Sequence, residues 1–307
     1  MKNVLIIGYG SIGKRHTEVL QQMGCSVSVV SGHLQTEEFP VYRDTAAAFR
    51  SHSFDYIVIA APTAKHADAL TQIEPFVSAG QILFVEKPIF ASLDQTVDTK
   101  NWRIAVGYVL RSHPLLRRVK KLTAGKKLYS CRCSCGQYLP DWRPGTDYTK
   151  CYSAHREQGG GVLRDLSHEL DYLQMIAGKW TSVAAVGGKF SGLDIHSDDQ
   201  FDLLLTSERC PLCECHIDYL ARKVHRDLRV EFEDGSLHLD FIAGTLDFNG
   251  QSESVKLERN DLFHTMHEEA MKYDLTFLAS YEEAMNTMTL IEAAERAAKE
   301  KIWIRNQ

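Results

Sequence analysis

Val4-Leu5-Ile6-Ile7-Gly8-Tyr9-Gly10-Ser11-Ile12-Gly13 stands near the start of the chain, and its reading decides the fold. Four consecutive branched apolar residues read as a buried strand. Glycines at 8, 10 and 13 follow in G-x-G-x-x-G spacing, and a helical pattern over residues 12–23 runs on from them. The first glycine permits a tight turn, the second lets a pyrophosphate approach the backbone, and the third lets helix and strand pack closely. The helix N-terminus then favours phosphate charge. Strand, glycine turn and helix in that order predict a dinucleotide loop, with Gly8, Tyr9, Gly10, Ser11, Ile12 and Gly13 around the pyrophosphate.

Outward from this loop, short apolar runs alternate with helical patterns. Strands are expected at 26–30, 56–60, 82–85 and 104–109, and helices at 45–51 and 63–78. Continuous apolar strands alternating with helices imply a doubly wound parallel sheet covered on both faces, an α/β Rossmann domain over residues 1–112. The second strand ends Val29-Val30-Ser31-Gly32-His33, without the carboxylate that holds the ribose hydroxyls of NAD. Ser31 and His33 could meet the extra phosphate of NADP, although no arginine stands beside them in sequence. The cofactor is NADP or NAD, and the missing acid leans to NADP.

After residue 112 the pattern changes. A linking helix is expected at 113–122 and a strong helix at 162–176, where Leu163, Leu166, Leu170 and Leu173 keep near-helical spacing. Strands are expected at 128–138, 181–189, 201–205, 213–220, 228–232, 237–242 and 255–257, with a hairpin turn at Glu233-Asp234-Gly235. Helices near 261–279 and 282–299 close the chain. Runs of strands beside a few helices predict an α+β domain over 113–307 with an open, mostly antiparallel sheet.

The bulk properties exclude several classes. The 307 residues, 44% hydrophobic and 24% charged, suit a soluble two-domain protein. A formal charge of −5 gives no broad basic field, so no nucleic acid is expected as a partner. No apolar run is long enough to span a bilayer, and the apolar residues beginning at Val4 leave no room for a signal peptide. The expected location is cytoplasmic, with no membrane partner. Cys131, Cys133 and Cys135 alternate in a strand-like segment, and Cys210, Cys213 and Cys215 precede His216. Their spacing is unlike a C-x-x-C knuckle, so they are read as reduced strand residues rather than a zinc site, and no metal is expected.

Two further stretches carry chemistry. Glu86-Lys87-Pro88 follows an expected strand, at the carboxyl end where open parallel sheets bind ligands. A lysine held there can hydrogen-bond a reacting oxygen or exchange its proton. Gly159-Gly160-Gly161 opens the expected helix carrying Asp165 and His168, three residues apart and so on one face. Lysine, histidine and carboxylate beside a dinucleotide are the parts of an alcohol dehydrogenase: a proton acceptor, a group that tunes it, and a hydride carrier.

Taken together, Gly8–His16 (GYGSIGKRH), Ala61-Pro62-Thr63 with His66, Glu86-Lys87-Pro88, Gly107-Tyr108 with Arg111 and Pro114, and residues 159–171 resemble the glucose–fructose oxidoreductase/inositol dehydrogenase/MocA (Gfo/Idh/MocA) family in their order along most of the chain. The resemblance implies a Rossmann domain, a C-terminal α+β domain, and hydride transfer between NAD(P) and a sugar, sugar acid, cyclitol or nucleotide sugar. It implies Lys87, Asp165 and His168 as catalytic groups, Ala61, Pro62, Thr63, His66, Glu86 and Lys87 at the cofactor, and Arg111 at the substrate. Two departures stand out. Many relatives space the Asp and His by four, and the segment between Pro88 and Asn101 is short for the family.

The loop-like stretch from Tyr138 to Arg156 adds substrate candidates: Tyr138, Trp142, Arg143, Tyr148 and Arg156, aromatics and cations suited to a polar, anionic sugar. His264 and His267 are read as helix-surface or capping residues without a role. A non-catalytic dinucleotide-binding regulator and an NAD-dependent glycoside-cleaving enzyme are the alternative readings. The open face of the second sheet is expected to bury against another copy, in a homodimer or homotetramer.

Overall fold

The computed structural model describes residues 1–95, 97–99 and 102–306. Thr96, Lys100 and Asn101, inside the segment read as short for the family, lie outside the described residues. Contacts group the chain into two compact units, Met1–Ser112 with Glu258–Ala284, and His113–Leu257 with the residues from Met285 on.

The first unit is built on a seven-stranded sheet in the order Ala279–Ser280, Arg103–Val106, Ile82–Val85, Tyr56–Ile59, Asn3–Ile7, Ser26–Val30, Val41–Tyr42. All neighbours run parallel except the edge strand Ala279–Ser280. Val4, Leu5, Ile6 and all of Tyr56–Ile59 are fully buried, as both-face coverage requires. Helices Ser11–Gln22, Thr45–Ser51 and His66–Ile73 belong to this unit. The expected helix over 63–78 is a short helix flanked by the 3-10 turns Thr63–Lys65 and Glu74–Phe76.

The contiguous 113–307 reading carries no hint that residues 258–284 group with this unit. Helix Asp261–Lys272 places Phe263, Met266 and Ala270 in one core with Val4, Ile6, Tyr56 and Phe84. An amphipathic pattern shows that a helix has an apolar face, not what covers it. The helix stops short of the expected residue 279 because Tyr273 turns left-handed at φ 53°.

The second unit holds a nine-stranded sheet in the order Gln251–Ser254, Thr245–Phe248, Gly235–Asp240, His225–Phe232, Leu128–Gly136, Cys213–Asp218, Gln200–Ser207, Trp180–Gly188, Ile304–Arg305. Among the described residues of this sheet, only Leu128–Gly136 and Cys213–Asp218 pair in parallel. Alternation buries Cys131, Cys133, Cys135, Cys213, Cys215 and Ile217 on the face against which helix Ser167–Ala177 packs. All eight cysteines are free thiols. Burial pushes the Cys131 and Cys133 thiols well up and Cys135 to about 12, so they stay neutral core residues.

Two expectations fail here. The strand expected at 255–257 is absent, and the chain instead forms the hairpin Thr245–Phe248 and Gln251–Ser254. Its outer strand is fully exposed, so no apolar alternation marks it in sequence. The helix expected over 162–176 breaks at Leu166 into Val162–Asp165 and Ser167–Ala177.

Glu169 is fully buried on Ser167–Ala177, and its Oε1 lies 2.8 Å from Arg226 Nε. Removing one partner of such a pair leaves a buried charge uncompensated. Arg226→Ala is expected to lower the unfolding free energy by about 3–5 kcal/mol in denaturant titrations. A loss below about 1 kcal/mol, the range of surface pairs, would show the pair to be effectively solvated.

Candidate active site

The glycine loop has the backbone a dinucleotide needs. Gly8 sits at φ +99°, and a Cβ there would come within 2.7 Å of the Ala60 carbonyl. A Cβ on Gly13 would collide with the Gly8 carbonyl oxygen, so helix and turn touch through bare backbone. Gly10 is different: it is extended, begins helix Ser11–Gln22, and a Cβ would meet nothing within 4 Å. No side chain caps that helix and no acid stands in its first turn, among the described residues. Open space in front of uncapped amides fits a pyrophosphate. Tyr9 packs against Phe39, ring centroids 5.8 Å apart, and Ile12 is partly buried against the core.

At the end of Ser26–Val30, Ser31 Oγ accepts from the backbone N–H of His33 and Leu34, which shapes the turn. An open pocket of about 620 Å³ there is lined by Ser31, His33, Glu37, Tyr42 and Arg43 among others. The sequence reading found no arginine at this point. Strand Val41–Tyr42 pairs with Val29 and Val30, and this places Arg43 beside Ser31.

Glu86-Lys87-Pro88 leaves the end of Ile82–Val85, with the Lys87–Pro88 peptide cis and Lys87 half-buried. Glu86 is buried, and its Oε2 accepts from the Lys87 backbone N–H at 3.1 Å. Its Oε1 lies 3.0 Å from His16 Nε2, His16 Nδ1 lies 2.7 Å from His267 Nε2, and His267 Nδ1 lies 3.0 Å from the Tyr56 hydroxyl. One tautomer of each ring satisfies the whole chain: Tyr56 donates to His267, His267 to His16, and His16 to the Glu86 carboxylate. His267 is therefore no surface residue. It is fully buried and joins the helix Asp261–Lys272 to the Glu-Lys-Pro segment.

Burial pushes His267 well below the ordinary imidazole range, with His16 and His264 adding to the effect. Its folded pKa thus lies below the unfolded value of about 6.5, so stability is lost progressively as pH falls from that value toward the folded one. His267→Ala would strand His16 Nδ1 and the Tyr56 hydroxyl in the core. A loss of about 1–3 kcal/mol for each stranded group is expected by denaturant unfolding. An unchanged midpoint would show that the chain adds nothing to stability.

His66 is buried, its Nε2 2.9 Å from the Ala61 carbonyl and Nδ1 3.1 Å from that of Ile89. It ties the Ala61-Pro62-Thr63 turn to the residues after Pro88. Arg111 is 2% exposed, with Nη1 3.0 Å from Glu283 Oε1 and 3.3 Å from the Leu278 carbonyl. The structure gives both side chains internal partners, where the resemblance implied cofactor and substrate contacts.

In the second unit the glycine run is forced by geometry. Gly159 and Gly161 have φ +87° and +121°. A Cβ on Gly160 would strike the Tyr152 carbonyl, and one on Gly161 the Asp198 carboxylate. Asp198 Oδ2 accepts from Leu163 N at 3.1 Å, holding the start of Val162–Asp165. Asp165 is buried and accepts from the Tyr219 hydroxyl at 2.6 Å, and Tyr152 also bonds it. Burial, with Asp165 adding, pushes both phenols well above their ordinary range, so they remain donors. His168 lies on the next helix, half-buried, so Asp165 and His168 do not share one unbroken helix. Neither tyrosine carries a sequence signal, because both reach Asp165 from distant segments.

The loop candidates are dispersed. Trp142 donates to the Gln137 carbonyl at 3.1 Å and packs edge-on to Tyr219, centroids 5.1 Å apart. Tyr138 lies under the Arg222 guanidinium. Arg143 is exposed and, with Trp142 and Tyr148, lines a shallow recess. Arg156 pairs with Glu295 at 3.2 Å.

A strand–glycine–helix turn on a parallel sheet, with an α+β unit in the same chain, defines a Rossmann-type nucleotide-binding fold. Residues 2–103 match the oxidoreductase family with an NAD-binding Rossmann fold, and residues 117–238 match the Gfo/Idh/MocA C-terminal domain. The chain belongs to the Gfo/Idh/MocA family. Among solved structures it is similar to a myo-inositol dehydrogenase from Corynebacterium glutamicum ATCC 13032, at 17% identity and TM-score 0.78, covering 100% of this chain and 99% of that one. It is similar to the WlbA dehydrogenase from Bordetella pertussis in complex with NADH and UDP-GlcNAcA, at 17% identity, TM-score 0.81 and coverage of 99% and 98%. It is also similar to levoglucosan dehydrogenase in complex with NADH and levoglucosan, at 15% identity, TM-score 0.83 and coverage of 100% and 99%. These likenesses are ones of fold. No curated protein matches the sequence.

Proposed function

We propose that this oxidoreductase transfers a hydride between NAD(P) and a CH–OH or keto carbon of a sugar-type substrate. The observation that carries the reading is the Gly8–Gly13 cradle in one chain with Lys87, the tyrosine-held Asp165, and His168 three residues further along. The sugar class is supported by the likeness to the myo-inositol, UDP-GlcNAcA and levoglucosan proteins. A nicotinamide held at this site would supply the hydride acceptor for the oxidative direction. His168 or Lys87 takes the hydroxyl proton, and the Lys87 ammonium steadies the developing alkoxide. Asp165, fixed by two phenol donors, orients or tunes His168. A panel of sugars, sugar acids, cyclitols and nucleotide sugars, assayed with both cofactors by nicotinamide absorbance, tests this. Absence of turnover across a panel that binds would favour the regulator.

For the cofactor, Ser31, His33 and Arg43 around one pocket support NADP(H) over NAD(H). Charge-assisted bonds to a phosphate are worth about 1.5–3 kcal/mol, so Arg43→Ala should weaken NADPH binding about 10–100-fold and spare NADH. Fluorescence titration decides it, and tighter NADH binding by the unaltered protein would reverse the preference. A cytoplasmic location accords with eight free thiols. No helix among the described residues is long and apolar enough to cross a membrane. A second copy of the chain is the expected partner of the open sheet face, where Val186 and Leu204 are exposed.

A further inference from the structure

On the sheet face opposite the buried cysteines, polar side chains meet at the ends of three neighbouring strands. The register pairs His216 with Asp202 on one side and Ser134 on the other, and pairs both Asp218 and His225 with Gly136. Asp218 and His225 thus stand two strands apart, roughly 9–10 Å between backbones. Gly136 lets their side chains lean together, since a Cβ there would collide with both Asp218 Oδ2 and His225 Cε1. His216 joins from two residues back on the strand of Asp218, its Nε2 3.1 Å from Asp218 Oδ2. One ligand atom from each of His216, Asp218 and His225 lies within 4.8 Å of the others.

We propose that His216, Asp218 and His225 form a site for a divalent transition-metal ion of the zinc class. Two imidazoles and a carboxylate are a donor set zinc accepts. Metal–ligand bonds of about 2.0–2.2 Å put adjacent donors roughly 3 Å apart, which is the His216–Asp218 separation. The supporting shell is in place. His216 Nδ1 lies 2.7 Å from Asp202 Oδ1, the carboxylate–histidine pairing that orients a ligand ring and raises its basicity. Asp218 Oδ1 accepts from the N–H groups of Leu220 and Ala221, each at 2.6 Å, which leaves Oδ2 toward the cluster. Ser134 Oγ lies 2.8 Å from His225 Nε2 and steadies that ring. Ser134, Asp202 and His216 also line an open pocket of about 580 Å³.

The other charged groups facing His216 by register are Glu214 on its own strand, Arg132 beside it, and His225 and Asp227 one strand further. Arg132 is paired with Glu214 at 3.2 Å. Asp218 is followed directly by Tyr219, which bonds Asp165. An ion at this site would fix the strand end that carries the partner of Asp165.

The test is titration calorimetry of the metal-stripped full chain with Zn²⁺ at mildly alkaline pH, and with Co²⁺ followed by visible absorption. Binding of one ion per chain is expected, with d–d bands and no thiolate-to-cobalt charge transfer, since the cysteines face the other side. Asp202→Asn should weaken binding about 10–100-fold, and His216→Ala or His225→Ala at least as much. Circular dichroism would confirm that the variants fold. Thiolate charge transfer, affinity unchanged in a His216→Ala/His225→Ala variant, or no saturable binding by the unaltered chain would each overturn the site.

Discussion

Turnover on a true substrate is expected to fall by about 10²–10⁴-fold in Lys87→Ala and in His168→Ala, with little change in dinucleotide affinity. That range is what a positioned acid–base group contributes to a transition state. Lys87 sits half-buried at the end of a sheet strand, with its backbone N–H held by the Glu86 carboxylate. His168 follows directly on the segment that fixes Asp165. Asp165→Asn should lose less, because an amide oxygen still accepts from Tyr219 or Tyr152 and only the charge is gone. Steady-state kinetics with fluorescence titration of the cofactor separates the two quantities. Near-normal turnover in both alanine variants would refute the assignment and revive the non-catalytic reading.

In Gly10→Val the protein should fold normally and lose cofactor affinity by about 10–100-fold. The side chain would enter the open space proposed for the pyrophosphate, and forcing extra atoms into a fitted site costs on the order of 1–3 kcal/mol. Gly13→Val is the contrasting case. There the Cβ meets the Gly8 carbonyl, so stability falls even without ligand. Thermal unfolding beside NADPH and NADH titration distinguishes them, and a folded Gly10→Val protein with unchanged affinity for both would remove the pyrophosphate from this loop.

Much of the first unit was legible because its signals are local. The strand before Gly8, the turn chemistry and the helix after it follow from branching, glycine geometry and 3.6-residue periodicity over adjacent residues. Alternation in residues 131–135 likewise put three cysteines on one face, and the structure buries that face. Illegible were the features made by distant residues meeting. Nothing around His267 announces that its ring faces His16, 251 residues away in sequence. Leucine spacing carried the expected helix straight through Leu166, while Asp165 is held by Tyr219, 54 residues on.

The sequence by itself determined the doubly wound sheet, the strand–glycine turn–helix at its centre and the residue types available for proton transfer, since strand burial, glycine turns and motif order depend on neighbours along the chain. Only the tertiary structure decided that residues 258–284 group with the first unit, that Arg43 stands beside Ser31, that Arg111 and His66 turn inward, and that Gly136 draws Asp218 and His225 together. Each of these is set by strand register or by core packing between segments far apart in sequence. Such pairings depend on which surfaces bury one another, and a local pattern shows that a surface is apolar or polar without showing its partner.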